Sequence, residues 1–484
     1  MVATAKNQGF ACEAAHGVVH YRGLLKNTKK GISMATLTSY DKRFYKKTVA
    51  IAVPVALQAL LNNFLNVIDT VMIGSLGEGS LAAVGLANKV FFVLSLVLFG
   101  VAGGSTVLTA QYWGKKDIRN VRRVLGLSLC IGVSAALLFA LCSILFPQSV
   151  MRIFTPDQST ISLGAGYLAL VAFSYPFQAI SQCYTYFYRA VNKVAFTVGI
   201  TASAIAVNAV INYTLIYGKF GFPQMGLRGA AVGTLVARIY ECAAILLYVY
   251  ATKSAGAAKP RELFAFDKAF VRKFFRIALP VIFNESVWGL GVTMYALVYG
   301  RMGVVPMAAI TATQVVEEMF VAAFAGLGSA TGVVLGNELG ANRLADAKRH
   351  ARGLLGANLI FSVFLSAALI FLRKPILSLF DLSPEVHAAA ATCLFIFACY
   401  LPFKTNNYVN IVGVLRSGGD TKYTLFLDFS GVWAIGVPMA ILGGPVLKQP
   451  VYIVYAMVLA EEVYKAVLGF FRYRREKWIR NIVG

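Results

Sequence analysis

The sequence predicts an all-α integral membrane protein with twelve transmembrane helices in two six-helix lobes, and with both termini in the cytoplasm. Three observations support this fold class: the hydrophobicity of the chain, an internal repeat, and the one-sided placement of basic residues. Of the 484 residues, 58% are hydrophobic and only 14% are charged. A soluble protein cannot hide that much apolar surface, so the chain is expected to lie in a bilayer.

Twelve apolar stretches are long enough to cross a membrane, which takes about 20 residues. In the first half they cover residues 48–73, 82–110, 124–146, 162–188, 195–217 and 227–251. In the second half they cover residues 274–300, 307–336, 353–372, 386–414, 423–442 and 450–471. Because each half contains six spans, both insert with the same orientation, and the axis that relates them should follow the membrane normal.

The two halves repeat each other at a spacing of 226 residues, which is kept mainly by turn and kink residues. Matched pairs are Pro54 with Pro280, Gly100 with Gly326, Gly114 with Gly340 and, after the register slips by one residue, Arg189 with Arg416 and Arg238 with Lys465. Internal duplication of a helical membrane protein is the usual architecture of a secondary transporter.

Basic residues are placed asymmetrically. The formal net charge of +24 would suggest a nucleic-acid partner in a soluble chain. Most of the 45 Lys and Arg, however, lie in the N-terminal arm, the loops of one side, the central linker and the C-terminal tail. Those expected on the opposite side are Arg152, Lys219, Arg228, Arg301, Arg373, Lys374 and Lys448. This asymmetry places both termini in the cytoplasm and argues against nucleic-acid binding.

Five segments follow from these patterns. They are a disordered cytoplasmic arm (1–45), a six-helix lobe (46–251), a cytoplasmic linker (252–272), a second six-helix lobe (273–472) and a basic cytoplasmic tail (473–484). The basic segments 111–123 and 337–352 occupy equivalent places in the repeat. We expect them to form short amphipathic helices on the cytoplasmic membrane surface.

Enzyme motifs are absent from the sequence. It contains no GxxxxGK[ST] phosphate loop, no HExxH and no GxSxG. The seven cysteines form no CxxC pair and are interpreted as small buried hydrophobes rather than disulfides or metal ligands. We therefore expect neither an enzyme nor a bound cofactor.

The first helix carries the clearest polar pattern. At about 100° per residue, its polar side chains share one wedge of about 80°; they are Gln58, Asn62, Asn66 and Asp69. The amides would also suit hydrogen bonding between helices. A carboxylate at mid-membrane, by contrast, costs roughly 3 kcal/mol or more. We therefore expect Asp69 to face a cavity and to bind a coupling cation.

Three further residues are expected to complete the cation-coupling site. Asn208 and Asn212 lie one turn apart on the fifth helix, and Thr234 lies on the sixth. With Asp69 they would offer one carboxylate, two amide oxygens and a hydroxyl. Hard oxygen ligands with one negative charge suit H⁺ or Na⁺ better than a divalent transition metal, so Asp69 is a candidate Na⁺ ligand.

The seventh helix carries a second candidate coupling acid, Glu285, on the same face as Trp288, Tyr295 and Tyr299. A carboxyl group among aromatic rings is suited to exchanging a proton, and the rings could stack on a lipophilic cation. The alternative is an ion pair, for which Lys404 is the candidate partner. The expected substrate cleft comprises Gln58, Asn62, Asn66, Gln178, Gln182, Trp288, Tyr295, Tyr299, Lys404 and Asn407.

Other intramembrane charges are expected to pair within their own helices. Glu461, Glu462 and Lys465 lie within one turn, and Arg238 lies three residues before Glu241. Asp428 is expected to pair with a base near the cytoplasmic end. Intramembrane acids outnumber bases, which favours a cationic cargo.

Several segments resemble the multidrug and toxic-compound extrusion (MATE) family from about residue 46 to the C-terminus. They are VIDTVMIGSLGEGSLAAVGLA (67–87), NYTLIYG (212–218), GLRGAAVGT (226–234), ALPVIFNESVWGLG (278–291), GLGSATGVVLGNELGANR (326–343) and VLRSGGDTK (414–422). The resemblance implies two lobes around a V-shaped cleft, alternating access by rocking of the lobes, and export of organic cations driven by Na⁺ or H⁺.

The resemblance also assigns roles by position. Asp69 matches the family's coupling acid of the first helix, Glu285 the acid of the seventh, and Asn208 and Thr234 polar ligands of the first lobe. Two positions depart from the family pattern. Asn212 stands where some relatives have Asp, and Thr405, next to Lys404, stands where the sodium-linked branch has Asp.

Together these observations predict a secondary active transporter that exports organic cations or drugs in exchange for H⁺ or Na⁺. It would be a multi-pass protein of the cell membrane, in contact with lipid and monomeric. The alternative is a flippase for a lipid-linked saccharide or another amphiphile. A flippase would need a basic cleft for a diphosphate head group.

Overall fold

The helices extend beyond the apolar cores that the sequence marks. The computed structural model describes residues 39–380 and 382–484. Most of the expected N-terminal arm lies outside the described residues. The first lobe contains α1 (Ser39–Gly74), α2 (Glu78–Gly114), α3 (Ile118–Leu145), α4 (Gln158–Ala190), α5 (Ala195–Tyr217) and α6 (Leu227–Ala251). A short helix, Pro147–Arg152, lies between α3 and α4.

The second lobe repeats this order. It contains α7 (Lys268–Arg301), α8 (Val304–Gly340), α9 (Leu344–Leu377), α10 (Pro384–Leu415), α11 (Thr421–Val446) and α12 (Val451–Arg474). Within the described residues, 11 of these helices are long and apolar enough to cross a membrane. The remaining one, α12, has the length of a span, but Glu461, Glu462 and Lys465 interrupt its apolar sequence.

Side chains of Asp and Ser fix the start of several helices. Asp117 accepts a hydrogen bond from the backbone N–H of Asn120 at the start of α3 (3.1 Å), and Asp267 accepts one from Phe270 at the start of α7 (2.7 Å). Such caps satisfy backbone donors that have no partner within the helix. They explain why these helices begin six residues before the predicted apolar spans 124–146 and 274–300.

The basic segments 111–123 and 337–352 do not form separate surface helices, so that prediction was wrong. They are the end of one long helix, a three-residue turn, and the start of the next. Lys116 and Asn342 occupy equivalent turn positions with φ of 64° and 60°. Hydropathy identifies only the apolar part of a helix that lies in lipid. The basic end of the same helix stays helical where it lies in water or packs against a neighbouring helix.

The lobes meet through reciprocal contacts between α2 and α8. A Cβ atom on Gly114 would lie 2.0 Å from the carbonyl oxygen of Asn337, and one on Gly340 would lie 1.9 Å from that of Gln111. Asn337 and Gln111 are themselves repeat partners. The two contacts are therefore related by a pseudo-twofold axis, and only glycine lets the backbones approach so closely. The cytoplasmic ends of the lobes are closed against each other.

Two helices of the second lobe depart from α-helical geometry. In α10, residues Val409–Leu415 form a π-helix, and α11 contains two π-helical stretches, Ser430–Gly436 and Leu442–Val446. A π-helix widens the turn and redirects the side chains that follow it. In α10 this stretch ends immediately before Arg416, at the interface between the lobes.

The linker and the tail pack against the lobes. The linker between α6 and α7 contains the short helix Pro260–Leu263, and Leu263 is buried against α3. In the tail, Trp478 is 0% exposed. The amide of Gln111 accepts a hydrogen bond from the backbone N–H of Ile482 (2.8 Å) and donates one to the carbonyl of Ser417 (2.8 Å). The tail therefore bridges the two lobes at the closed cytoplasmic side.

Candidate functional site

A cavity of about 620 Å³ lies inside the first lobe, between α1, α2, α4, α5 and α6. Its polar lining consists of Asn66, Asp69, Thr70, Asn88, Ser95, Tyr167, Ser174, Tyr175, Thr201, Asn208, Asn212, Thr234, Arg238 and Glu241. The cavity thus contains the four first-lobe residues expected for cation coupling: the acid of α1, both asparagines of α5 and the threonine of α6. It is large enough to hold part of a drug-sized molecule.

The Asp69 carboxylate is half-buried and has one neutral partner. The side-chain amide of Asn212 donates a hydrogen bond to it (2.9 Å) and a second to the Asn208 oxygen (3.1 Å). Among the described residues, no Lys, Arg or His nitrogen lies within 4.0 Å of the carboxylate. Asp69 is therefore an acid held in a cavity without a fixed counter-ion.

The asparagines do not present the oxygen atoms that the sequence led us to expect. Asn212 faces Asp69 with its NH₂ group, and the Asn208 oxygen is occupied by the hydrogen bond from Asn212. The spacing of the two residues on α5 brought them to the cavity. Which end of each amide points inward depends on the neighbouring helix, which a sequence pattern does not contain.

The other cavity acid, Glu241, is paired. Arg238 lies 3.0 Å from one carboxylate oxygen, which confirms the expected pair, and Thr201 donates a hydrogen bond to the other (2.8 Å). Thr201 in turn accepts a hydrogen bond from Gln58 (3.1 Å). Gln58 is therefore a buried link in the lobe's hydrogen-bond network. Asn62, by contrast, is exposed on α1.

Gln178 and Gln182 lie on α4 with polar atoms that lack partners. Within the described residues, the Gln178 Oε1 and Gln182 Nε2 atoms are buried and form no hydrogen bond, and the same holds for the Tyr175 hydroxyl and the Arg189 Nε. These four residues share one face of α4. Orphaned polar atoms are rare inside proteins, so this stripe is suited to a ligand or to water.

Glu285, in the second lobe, is ion-paired. Its carboxylate lies 2.8 Å from the Arg416 guanidinium, which also bonds the side-chain oxygen of Asn284. The suggested partner Lys404 was wrong: Lys404 pairs with Glu317 at 2.9 Å. Helical periodicity predicted which face of its helix each residue occupies. It did not predict whether Lys404 or Arg416 lies opposite Glu285. Arg416 was identifiable only as the repeat partner of Arg189.

The aromatic residues of α7 do not surround Glu285, contrary to expectation. Tyr295 donates a hydrogen bond to Glu461 (2.7 Å), and Tyr299 is buried in the hydrophobic core of the second lobe. Trp288 is 45% exposed. The three rings share a stripe of the helix but enter different environments, because α7 contacts α2 at one end and α11 and α12 further along.

A dense ion cluster fills the interior of the second lobe. Lys465 lies 3.3 Å from Glu461, 3.5 Å from Glu462 and 3.9 Å from Asp428. This confirms the expected pairing within α12 and makes Lys465 the base that pairs with Asp428. Asn407 is buried and donates a hydrogen bond to Glu462 (2.8 Å), so it forms part of the cluster and not the wall of an open cleft.

Several cavity residues were missed by sequence reasoning, among them Asn88 and Tyr167. These two residues line the first-lobe cavity, on α2 and α4 respectively. Asn88 and Ser95 are polar residues seven positions apart in an otherwise apolar helix, which is the spacing of one helix face. That pattern could have identified the α2 wall.

The match to a family model follows both halves of the repeat. The MatE model matches residues 54–214 and again residues 280–442. The chain belongs to the MatE family. The family is one of membrane transporters, so the expected class, a multi-pass transport protein of the cell membrane and not an enzyme, is confirmed, as are the family resemblance and the all-helical fold.

Two relatives show how far the similarity extends. The uncharacterized transporter YisQ of Bacillus subtilis is 24% identical over 436 residues, which cover 88% of this chain and 94% of that protein. The probable multidrug resistance protein NorM of Bradyrhizobium diazoefficiens is 28% identical over 410 residues, covering 82% and 86%. Both alignments include the two lobes.

A solved structure shares the fold. It is described as the outward-facing conformation of a multidrug resistance MATE family transporter of the MOP superfamily. The two chains superpose with a TM-score of 0.81 at 16% identity, over 90% of this chain and 96% of that one. At this identity the likeness establishes the architecture, and the chemistry of the cavity must be argued from the residues of this chain.

Proposed function

We propose that the protein exports organic cations, including drugs, in exchange for an inward-moving proton bound at Asp69. The observation that carries this proposal is the environment of that carboxylate. It lines a cavity of about 620 Å³ and has no basic partner within 4.0 Å among the described residues. A carboxylate in this position can attract an organic cation when ionised and loses that attraction when protonated.

The coupling is mutual exclusion at one group. In the cytoplasm-facing state, ionised Asp69 binds the amine of the substrate. In the outward-facing state a proton binds the carboxylate, the substrate loses its counter-charge, and it leaves. One carboxylate cannot neutralise two cations in a cavity of low dielectric constant, so proton and substrate lower each other's affinity reciprocally.

A proton fits this site better than Na⁺, although both were open from the sequence. A sodium ion needs several oxygen ligands at once. Asp69 meets the NH₂ group of Asn212, and the Asn208 oxygen is already engaged. Sodium binding would require both amides to rotate, whereas a proton needs only the carboxylate.

Glu285 has a different part in this proposal. Because its charge is used by Arg416, it holds α7 to the end of α10 within the second lobe and is not the primary coupling group. Lipid-linked diphosphates are a poorer fit as cargo, since the cavity contains two acids, Asp69 and Glu241, against one base, Arg238.

The test is dye efflux from proteoliposomes with ΔpH and ΔNa⁺ imposed separately, comparing Asp69→Asn with Glu285→Gln. We expect ΔpH to drive efflux by the wild type, Asp69→Asn to fall to the level of empty liposomes, and Glu285→Gln to be slower but still driven. Gradient-driven efflux by Asp69→Asn, or efflux driven by Na⁺ alone, would contradict the proposal.

A further inference from the structure

The two lobes surround a matched pair of arginines differently. The Arg416 guanidinium is paired with Glu285 at 2.8 Å. Its repeat counterpart Arg189 is 8% exposed, and no carboxylate within the described part of the chain lies within 4.0 Å of it. One lobe thus contains a buried ion pair where the other contains a buried cation alone.

A single position of the repeat explains the difference. At the 226-residue spacing, Glu285 corresponds to Ala59. The residues just before them are also equivalent: Arg189 donates a hydrogen bond to Gln58 (3.3 Å), and Arg416 donates one to Asn284. Helix and arginine are therefore placed alike in both lobes. In the second lobe Glu285 supplies the carboxylate that pairs with the arginine. In the first lobe the equivalent residue is Ala59, whose methyl group carries no charge.

Within the described residues, the contacts of Arg189 are all with neutral groups. Its guanidinium donates hydrogen bonds to Gln58 and Ser329 (3.0 Å) and lies over the Tyr186 ring at 4.4 Å, and its Nε has no acceptor among the described residues. A buried charge without a counter-ion is costly and normally marks a functional site. The missing component is an anionic group.

Arg189 also terminates the stripe of orphaned polar atoms on α4. Tyr175, at the other end of the stripe, lines the Asp69 cavity, and the Gln178 and Gln182 atoms lie between. The stripe therefore connects the cavity with the interface between the lobes. It offers donors and acceptors to a molecule that occupies both places.

We propose that Arg189 binds the carboxylate, or another singly charged acidic group, of the transported substrate. This inference rests on the proposed export function and assigns a second contact to its cargo, in the case of organic molecules that bear an acidic group as well as an amine. Along the cavity and the α4 stripe, the two charged bases Arg189 and Arg238 balance the two acids Asp69 and Glu241. A substrate with an amine at Asp69 and an acid at Arg189 leaves the net formal charge of these groups at zero. A substrate with only an amine leaves one excess positive charge.

The geometry sets the size of the cargo and the moment of binding. Gln58, which touches Arg189, and Asp69 are separated by eleven residues of α1, or about 16 Å along the helix axis. A long zwitterion reaches both groups, and a shorter one binds them in turn. Ser329 belongs to the second lobe, so its contact with Arg189 breaks when the lobes part at the cytoplasmic side and opens the guanidinium to a substrate.

The test supplies the missing carboxylate from the protein itself. Ala59→Glu places an acid where the second lobe has Glu285, and Ala59→Gln is the matched control with nearly the same volume and no charge. The probes are a cationic dye that bears a carboxylate and the methyl ester of the same dye. Efflux of each dye is measured in proteoliposomes, and thermal unfolding is measured in detergent.

We expect Ala59→Glu to lower efflux of the carboxylate dye at least about tenfold relative to Ala59→Gln, with ester efflux alike in both variants. Ala59→Glu should also unfold at a higher temperature than Ala59→Gln, because the buried guanidinium gains a partner. Arg189→Gln gives a second measure: the ratio of carboxylate to ester efflux should fall at least about tenfold even if Ala59→Glu does not fold.

Three results would overturn the inference. They are equal dye ratios for all variants, equal unfolding temperatures for Ala59→Glu and Ala59→Gln, or a chloride requirement for ester efflux that Ala59→Glu removes. The last would show that the site takes a free inorganic anion. If the wild type transports neither dye, the proposed export function fails. The assignment of Arg189 can still be decided by thermal unfolding. It is supported if the carboxylate dye raises the unfolding temperature of the wild type but not of Ala59→Glu, and contradicted if it raises neither.

Discussion

The two lobes are built on one plan, but their interiors differ. Arg189 corresponds to Arg416, Gln58 to Asn284, Thr201 to Asp428 and Arg238 to Lys465, and in both lobes these positions form a hydrogen-bonded network. In the first lobe the network borders an open cavity. In the second lobe, Lys465 and three carboxylates occupy the interior instead of a cavity.

The acids have exchanged places between the lobes. Asp69 on α1 corresponds to Tyr295 on α7, and Thr234 on α6 corresponds to Glu461 on α12. In the second lobe the tyrosine hydroxyl donates to Glu461 (2.7 Å), which also pairs with Lys465. In the first lobe the acid stands on the other helix, away from the base. Duplication thus preserved the polar positions, and substitution at two of them left one carboxylate unpaired.

The strongest way to break this comparison is to remove the central base of each lobe. Lys465→Met leaves three carboxylates without their cation, which should cost about 3–5 kcal/mol of folding stability. Arg238→Met leaves only Glu241, which keeps its hydrogen bond from Thr201 and borders the cavity, so the loss should be smaller. Thermal unfolding in detergent measures both. Equal losses would show that the second lobe is not the rigid, ion-paired one.

Acidification should reduce the stability deficit of Lys465→Met. Protonation of the carboxyl groups removes the repulsion that Lys465→Met creates, so lower pH should raise its unfolding temperature relative to the wild type. If its stability deficit is unchanged between neutral and mildly acidic pH, the three carboxylates do not depend on Lys465.

The contact between the lobes can be tested at the paired glycines. Gly340→Ala places a Cβ atom 1.9 Å from the Gln111 carbonyl oxygen, and overpacking of this kind typically costs about 1–3 kcal/mol. Gly114→Ala should behave alike because its contact is equivalent. Gly356→Ala on α9, with no atom within 4 Å, is the control and should not lower the unfolding temperature, because alanine favours a helix over glycine. A large difference between Gly114 and Gly340 variants would contradict the pseudo-twofold contact.

A smaller effect is expected where the tail joins the lobes. A Cβ atom on Gly418 would lie 1.5 Å from the Trp478 carbonyl oxygen, so Gly418→Ala should displace the tail. We expect faster tryptic cleavage after Lys477 and Arg480 and only a modest change in transport. Unchanged cleavage would show that the tail does not depend on this contact.

The smallest effect concerns the helix caps. Asp157 and Ser383 are repeat partners at the starts of α4 and α10, and they accept hydrogen bonds from Thr160 (2.8 Å) and Val386 (3.4 Å). Hydrogen bonds from Thr160 and Ser159 lower the pKa of Asp157 from 3.8 to about 2. The cap's contribution is therefore present above the ordinary Asp pKa and is lost as the pH falls through about 2.

Hydrogen exchange of the backbone amides in the first turn measures these caps. Exchange at the start of α4, corrected for intrinsic rates, should lose protection in acid in the wild type but not in Asp157→Asn. The start of α10 should show no such dependence, because Ser383 does not titrate. Acid-sensitive protection at α10 would contradict this distinction.

The membrane helices could be predicted from the sequence because hydropathy and the internal repeat are each read over many residues. The ends of the helices were predicted less accurately. For α9 the apolar core spans 353–372, whereas the helix covers Leu344–Leu377, since its basic first turns remain helical outside lipid. Asp69, Asn208, Asn212 and Thr234 were placed in one cavity because family resemblance and helical faces agreed.

Partners across helices could not be predicted in the same way. The sequence offered Glu285 two bases on the same helix, Lys404 and Arg416 of α10, with nothing to choose between them. The π-helical stretch Val409–Leu415, which no sequence pattern announced, lies between these bases and changes their relative direction. That no acid among the described residues pairs with Arg189 was likewise visible only after the structure showed that Glu285 pairs with Arg416.

The central claim is that substrate and proton compete for Asp69. It is tested most directly by counting protons released when a cationic substrate binds the purified protein, from calorimetry in buffers of different ionisation enthalpy. We expect the wild type and Glu285→Gln to release a proton on binding at a pH where Asp69 is protonated, and Asp69→Asn to release none. Undiminished proton release by Asp69→Asn would contradict the claim.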